Sequence, residues 1–200
     1  PGGGSSGANA GAGGGHGGLG GAGYNGGSGA VNGTLTEPNP GSGGGCSTSY
    51  SSQGGSGGGA VFLEVNGLAT INGIITANGQ QSPQTRGGGG SGGGIRIQCR
   101  TIAGTNGAIR ANGGSSYFPG GSGGGGGGGR ITILFDPEQQ ALLPSPQIEL
   151  SARCGIAATY GNGDLGTIYF PNLSILQGEF FPHNGRLIWT GRTDWVVNNL

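Results

Sequence analysis

Residues 58–79, GGAVFLEVNGLATINGIITANG, and residues 92–113, GGGIRIQCRTIAGTNGAIRANG, align without a gap at an offset of 34. Asn72-Gly73 falls on Asn106-Gly107, Ile75 on Ile109, and Ala77-Asn78-Gly79 on Ala111-Asn112-Gly113. Each copy alternates with a period of two. Val61, Leu63 and Val65, then Ile95, Ile97 and Cys99, are expected to face inward, with Phe62, Glu64, Arg96 and Gln98 outward, as in half-buried strands. Asn-Gly pairs, of which the chain has nine, are turn signals because both residues tolerate positive φ. Repetition at a fixed period of 20–50 residues points to a solenoid.

A third copy starts at Arg130. At the same offset, Arg130, Ile131 and Ile133 fall on Arg96, Ile97 and Cys99. The alignment predicts an inward column of Leu63, Ile97 and Ile131 and an outward column of Phe62, Arg96 and Arg130. It also stacks Asn78 on Asn112.

Glycine runs separate the copies, at 87–94 (broken by Ser91) and 120–129 (broken by Ser122), and 56 of the 200 residues are Gly. In 13–29, GGGHGGLGGAGYNGGSG, the run has order: Gly occupies 11, 14, 17, 20, 23, 26 and 29. Three is the period of polyproline II geometry, which has no internal hydrogen bonds. Its N–H and C=O groups must therefore bond to neighbouring segments. His16, Leu19, Ala22, Asn25 and Ser28 fall on a second face. Eight glycines in this geometry span about 25 Å, and a strand of six or seven residues about 20–23 Å. One coil thus reads as strand, turn, strand, Asn-Gly turn and glycine return, with the glycine runs as walls of the fold. Ordering them costs on the order of 50–100 kcal/mol of backbone entropy. The chain is therefore expected to lean on adjoining coils, neighbouring chains or covalent decoration.

The fold class expected is all-β: a glycine-rich parallel β-solenoid with polyglycine segments beside the strands, followed by a smaller β segment. Three parts are read: a glycine-rich segment at 1–59, the repeats at 60–135, and a C-terminal β segment at 136–200. Only seven glycines lie in the last part. Asp136-Pro137 and Leu143-Pro144-Ser145-Pro146 mark the break. Strand-like runs follow at 147–152, 166–170, 186–190 and 195–197, either continuing the stack or forming a small sandwich.

Composition narrows function. The chain has no Lys; eight Arg balance eight Asp plus Glu, so no basic patch points to nucleic acid. No apolar run approaches the roughly 20 residues of a membrane span. Gly-x-Ser-x-Gly occurs around Ser56, Ser91 and Ser122, but a nucleophile elbow needs a strand before it and a helix after it. Asp136, Asp164 and Asp194 match no metal loop, and His16 reads as a spacer on a glycine helix. No catalytic residue, metal or cofactor is expected, and the chain is read as a non-enzyme. Asn32 and Asn172 open Asn-x-Ser/Thr sequons, glycan acceptors in a secreted protein. Cys46, Cys99 and Cys154 are candidates for a disulfide of unassigned pairing; Cys99 also reads as a buried small hydrophobe. The chain is read as an internal piece of something longer.

At GSGGGIRIQC…TIAGTNGAIRANGG…GGGGGGGRITILF the sequence resembles the glycine-rich repeat regions of very large extracellular proteins of protists and some bacteria. Some of these build flagellar hairs (mastigonemes) or adhesive surface fibres. Gly166-Thr167-Ile168-Tyr169-Phe170 is similar to a strand that often follows such repeats. The likeness covers about residues 40–170. It implies an extracellular, structural role, with copies of the chain, adjoining segments or glycans as partners, and it carries over no functional residue. Mycobacterial glycine-rich surface repeats are a weaker likeness, since they lack the long I-x-I strands. A glycan-binding adhesin module is the rival reading, favoured if aromatics such as Tyr117-Phe118 and Phe180-Phe181 cluster on exposed loops. An ice-binding surface would need a regular small or Thr-rich outer column, which Phe62, Arg96 and Arg130 do not supply.

Overall fold

The computed structural model describes residues 2–7, 9–117, 121–172, 175 and 183–189. The run at 195–197, Phe118, Phe180-Phe181 and Asp194 lie outside them. Alternation produces two parallel sheets. The first has the order β1 (Ala60–Thr70), β3 (Gly94–Ala103), β5 (Arg130–Leu134), β7 (Thr167–Phe170), β9 (Arg186–Trp189). The second has the order β2 (Ile74–Thr76), β4 (Gly107–Arg110), β6 (Ile148–Ser151), β8 (His183–Asn184). Each of the first four coils contributes one strand to each sheet, and β9 adds a fifth to the first, so the protein is a parallel β-solenoid. Strands of residues 136–189 extend the same two sheets; the stack continues.

The core lies between the sheets. Ile95, Ile97, Ile131, Ile133 and Ile168 of the first sheet meet Ile109, Ile148 and Leu150 of the second, all buried. The inward columns are Val61–Ile95–Ile131–Ile168 and Leu63–Ile97–Ile133, with Ile75–Ile109–Leu150 opposite. This corrects the third copy by two residues. Coils one and two are 34 residues apart (Ala60 to Gly94), but coils two and three are 36 apart (Gly94 to Arg130). A shift of two leaves every side chain on its face, so alternation cannot detect it. The extra residues fall in the turn between Ser115, which still pairs with Ser82 at the first spacing, and Gly124, which pairs with Gly89 at the second. The outward column is accordingly Phe62, Arg96, Thr132, Tyr169, with Arg130 beside Gly94 and Thr167.

Asparagines hold the corners. The Oδ1 of Asn78 accepts from Asn112 N (2.8 Å), and the Oδ1 of Asn112 accepts from Arg153 N (2.9 Å) and Ser151 Oγ (2.6 Å). At the other corner Thr105 N donates to Asn72 Oδ1 (3.1 Å). Asp136-Pro137, read as a break, is a helix start. Asp136 caps α1 (Pro137–Gln140) by accepting from Glu138 N and Gln139 N, and Pro suits the first helical position. Buried Gln140 then bonds both backbone groups of Ile102 at 2.8 and 3.1 Å.

The glycine segments form a bundle with threefold bonding. Along 88–93, successive N–H groups donate to Gly45, Gly124, Gln80, Ser42, Gly127 and Ala77, so every third residue returns to the same neighbour. Their carbonyls accept from Gly55, Gly14, Gly114 and Gly58. Segment 87–93 therefore has six bonded neighbours: 41–46, 122–129 and 77–82 as acceptors, and 53–59, 10–16 and 111–116 as donors. Segment 122–129 is equally enclosed, by 10–16, 161–166, 111–116, 87–93, 17–23 and 152–157. The layers follow. Segments 53–59, 87–93, 122–129 and 161–166 make the middle, each leading into a strand of the first sheet. On one side lie 77–82, 111–116 and 152–157, each leaving the second sheet. On the other lie 41–46, 10–16 and 17–23, with 2–7 and 26–30 outside them. The early glycine run is thus folded into short antiparallel pieces: Gly13 N bonds Gly21 O, and His16 N bonds Gly18 O. Its register of three does not persist through the turns at His16 and Asn25.

Candidate functional site: an open coil face and a tyrosine tip

The first coil ends the stack with its inward residues part-covered. Among the described residues β1 pairs only with β3, and β2 only with β4. Ile95, Ile97, Cys99 and Ile109 are all under 9% exposed, but Val61, Leu63, Val65 and Ile75, one coil earlier, are only partly buried. Phe62 and Leu68 are 54% exposed and Ile74 64%. The eleven residues of β1 present an edge of about 36 Å. A long apolar edge with unpaired backbone groups is a template for another strand. Its only charged residue is Glu64, and a bulge at Asn66-Gly67, where Val65 pairs with Cys99 but Leu68 with Thr101, is its only irregularity.

The outward arginines do not face free solvent. Residues 31–38 run across the outside of β3 and β5 as a strap. Arg130 donates to Asn32 O from Nε (3.2 Å) and Nη2 (3.1 Å), Thr132 Oγ1 to Leu35 O (3.2 Å), and Arg96 Nη1 to Thr36 O. Asn32 is the hub. Its Nδ2 donates to Gly15 O (2.7 Å) and Ser42 Oγ (3.1 Å), and its Oδ1 meets His16 Nδ1 at 3.1 Å. The nitrogen that an N-linked glycan would occupy uses both of its N–H groups in the fold, and a glycan there would replace one of them and break the bond to Gly15 O or Ser42 Oγ. Asn172 follows β7, and the rest of its sequon lies outside the described residues.

His16 is 1% exposed. Its Nδ1–H serves Asn32 Oδ1, which leaves Nε2 buried without a partner. Burial lowers its pKa, Arg130's charge adds to that, and the Asn32 hydrogen bond opposes it. Gly33 turns beneath the ring at φ +78°, and a Cβ there would lie 2.6 Å from His16 Cε1. This corner is structural, and the sequence reading of His16 as a mere spacer missed it; the Asn32-Gly33 pair was the available signal.

The three cysteines are free and sit on different elements: Cys46 exposed at the end of segment 41–46, Cys99 buried in β3, Cys154 half-buried in 152–157. No disulfide joins them. Burial pushes the Cys99 thiol up to about 11 and also raises Cys154. The serines of the Gly-x-Ser-x-Gly matches lie in the bundle; Ser91 Oγ is bonded to the backbone of Ser42. Asp164 lends its carbonyl to Gly128. No group of three or more His, Cys, Asp or Glu converges among the described residues. No helix among them is long and apolar enough to cross a membrane.

The bundle end away from the strands collects aromatic residues. Tyr24, Tyr50, Tyr117 and Tyr160 all lie in the turns of that tip. Tyr24 and Tyr160 pair with ring centres 5.3 Å apart. Arg86 stacks on Tyr50, with its guanidinium carbon 3.6 Å from the ring centre. Tyr117 is one of the aromatics whose clustering would favour a binding module, and it shares a cleft with Tyr50.

Comparison with family models, with curated proteins and with solved structures finds no match to this chain.

Proposed function

We propose that the chain is a structural segment of a large secreted polypeptide that assembles into an extracellular filament or surface appendage. The observation that carries this reading is the open coil face. A solenoid whose first coil leaves its inward residues half-covered is completed by another coil, from a second copy or from an adjoining segment. Stacking one there would bury Val61, Leu63, Val65 and Ile75 as Ile95, Ile97, Cys99 and Ile109 are buried now. Such stacking is heterologous and open-ended, which generates fibres. The bundle beside it adds stiffness, because its backbone bonds run in several directions across the axis. The resemblance of the I-x-I and glycine repeats to extracellular fibre proteins supports secretion. The test is electron microscopy of the native source material. Filaments with strands near 4.8 Å apart along the axis are expected; a monodisperse soluble particle would overturn the proposal.

A second reading, a glycan-binding module at a cell or fibre surface, is favoured by the tyrosines gathered at the bundle tip.

A further inference from the structure

Tyr50, Ser52, Pro83, Gln84, Thr85 and Tyr117 line an open cleft of about 370 Å³ at the tip. We propose that this cleft binds an acidic polysaccharide, with a sugar ring stacked on the tyrosines and its carboxylate directed to Arg86. The inference rests on the second reading above and gives it residues.

Four observations converge. The first is the lining. Two tyrosine rings offer flat apolar faces for the C–H face of a pyranose, and exposed Thr85 and Gln84 supply a hydroxyl and an amide nitrogen for its rim. Tyrosine gives large contact area at small entropic cost, and Ser, Gly and Asn around it adapt their hydrogen bonds. The turns at 24–28, 47–52 and 115–117 consist almost wholly of these residue types.

The second is strain. The three non-glycine residues with positive φ among those described are Asn25 (52°), Ser51 (49°) and Arg86 (77°), and all lie in tip turns. Ser51 and Arg86 flank the cleft. Such conformations cost about 1–3 kcal/mol each and collect at ligand sites.

The third is rigidity beneath the strain. Ser47 and Ser52 exchange backbone hydrogen bonds at 3.1 and 3.2 Å. Gln53 N donates to Gln84 Oε1 (2.7 Å), and Ser82 Oγ reaches Gln53 O (2.9 Å) and Gln84 O (2.7 Å). The cleft is therefore held from the bundle below, as a preformed site is.

The fourth is charge. The turns that make the tip contain no Asp or Glu among the described residues. Arg86 donates to Asn9 O (3.4 Å) and stacks on Tyr50, so its charge has no carboxylate partner there. The size also selects the ligand class. A cleft of this volume suits one or two sugar rings, whereas a stable protein partner buries about 1,200–2,000 Å².

The test uses the whole chain on an array of neutral and uronate-bearing oligosaccharides, with binding confirmed by amide shifts in the ¹⁵N NMR spectrum. Uronate-bearing members should bind and move the amides of 50–54, 82–87 and 115–117, not those of β3. Tyr50→Ala with Tyr117→Ala should weaken binding at least tenfold. Arg86→Gln should weaken the uronate ligands several-fold more than their neutral analogues. Strand and bundle amide shifts that stay in place exclude unfolding as the cause. Three results would overturn the proposal: no array member binds, binding survives the double tyrosine variant, or the tip captures only protein. None of them bears on filament assembly, which the microscopy decides separately.

Discussion

Gly126→Ala adds one methyl group to the centre of the bundle. The new Cβ would lie 2.5 Å from the carbonyl carbon of Gly90, nearer still to its oxygen, and 3.0 Å from Ser91 N. Ordinary contact begins at 3.4 Å, so segments 122–129 and 87–93 must part by more than the difference between 3.4 and 2.5 Å, more than about 0.9 Å. Two hydrogen bonds join them directly, Gly89 N to Gly124 O (2.9 Å) and Gly92 N to Gly127 O (3.0 Å). A parting of that size breaks both, inside a bundle whose glycines there are buried. Losing a buried backbone bond in this way costs about 1–3 kcal/mol, so with two broken the variant should lose about 2–6 kcal/mol. The control is Gly59→Ala, where an added Cβ meets nothing within 4 Å. There the lost freedom of the unfolded chain should leave stability equal or raise it by up to about 1 kcal/mol. Urea unfolding followed by circular dichroism reads the difference. For a chain of this size it corresponds to a fall of roughly 10 °C in Tm. A Gly126→Ala protein within about 0.5 kcal/mol of the parent, well inside the expected loss, would refute the bundle packing.

Three further outcomes are expected. Asn112→Ala removes the acceptor of Arg153 N and Ser151 Oγ and should cost about 1–3 kcal/mol, with Asn112→Asp much closer to the parent in the same urea assay. Because burial holds His16 below its ordinary 6.5, the unfolded chain binds its proton first as pH falls. This group's contribution is therefore fully present above pH 6.5 and lost as pH drops below it; His16→Gln should flatten the slope of urea midpoint against pH just below 6.5. With its thiol at about 11, Cys99 holds only about a thousandth as thiolate at pH 8. A thiol reagent should therefore modify exposed Cys46 at once and Cys99 only as the chain opens, which peptide mapping over time will show.

The strands were legible because a period of two leaves its mark on side-chain type: Val61, Leu63 and Val65 alternate with Phe62 and Glu64 whatever surrounds them. The Asn78–Asn112 corner was legible for the same reason, since a coil of 34 residues repeats its turn chemistry. Register in the third coil was not, because a slip of two keeps Ile131 and Ile133 inside. The lateral order of the bundle was illegible in principle: Gly13, Gly21 and Gly125 are chemically identical, and nothing local says that Gly13 bonds Gly21 and Gly21 bonds Gly125. The Asn32–His16–Arg130 corner depends on that order and was hidden with it. The tip shares this cause. Tyr24, Tyr50, Tyr117 and Tyr160 are far apart in sequence, and only the alternating direction of the glycine segments brings them to one end.

The glycine runs are bonded structure and not linker. Native-state hydrogen exchange at single-residue resolution tests this most directly. The amides of 88–93 and 124–129 should exchange as slowly as those of Ile95 and Ile97 in β3, opening only with global unfolding. Glycine amides that exchange at the rate of an unstructured chain while β3 stays protected would contradict this.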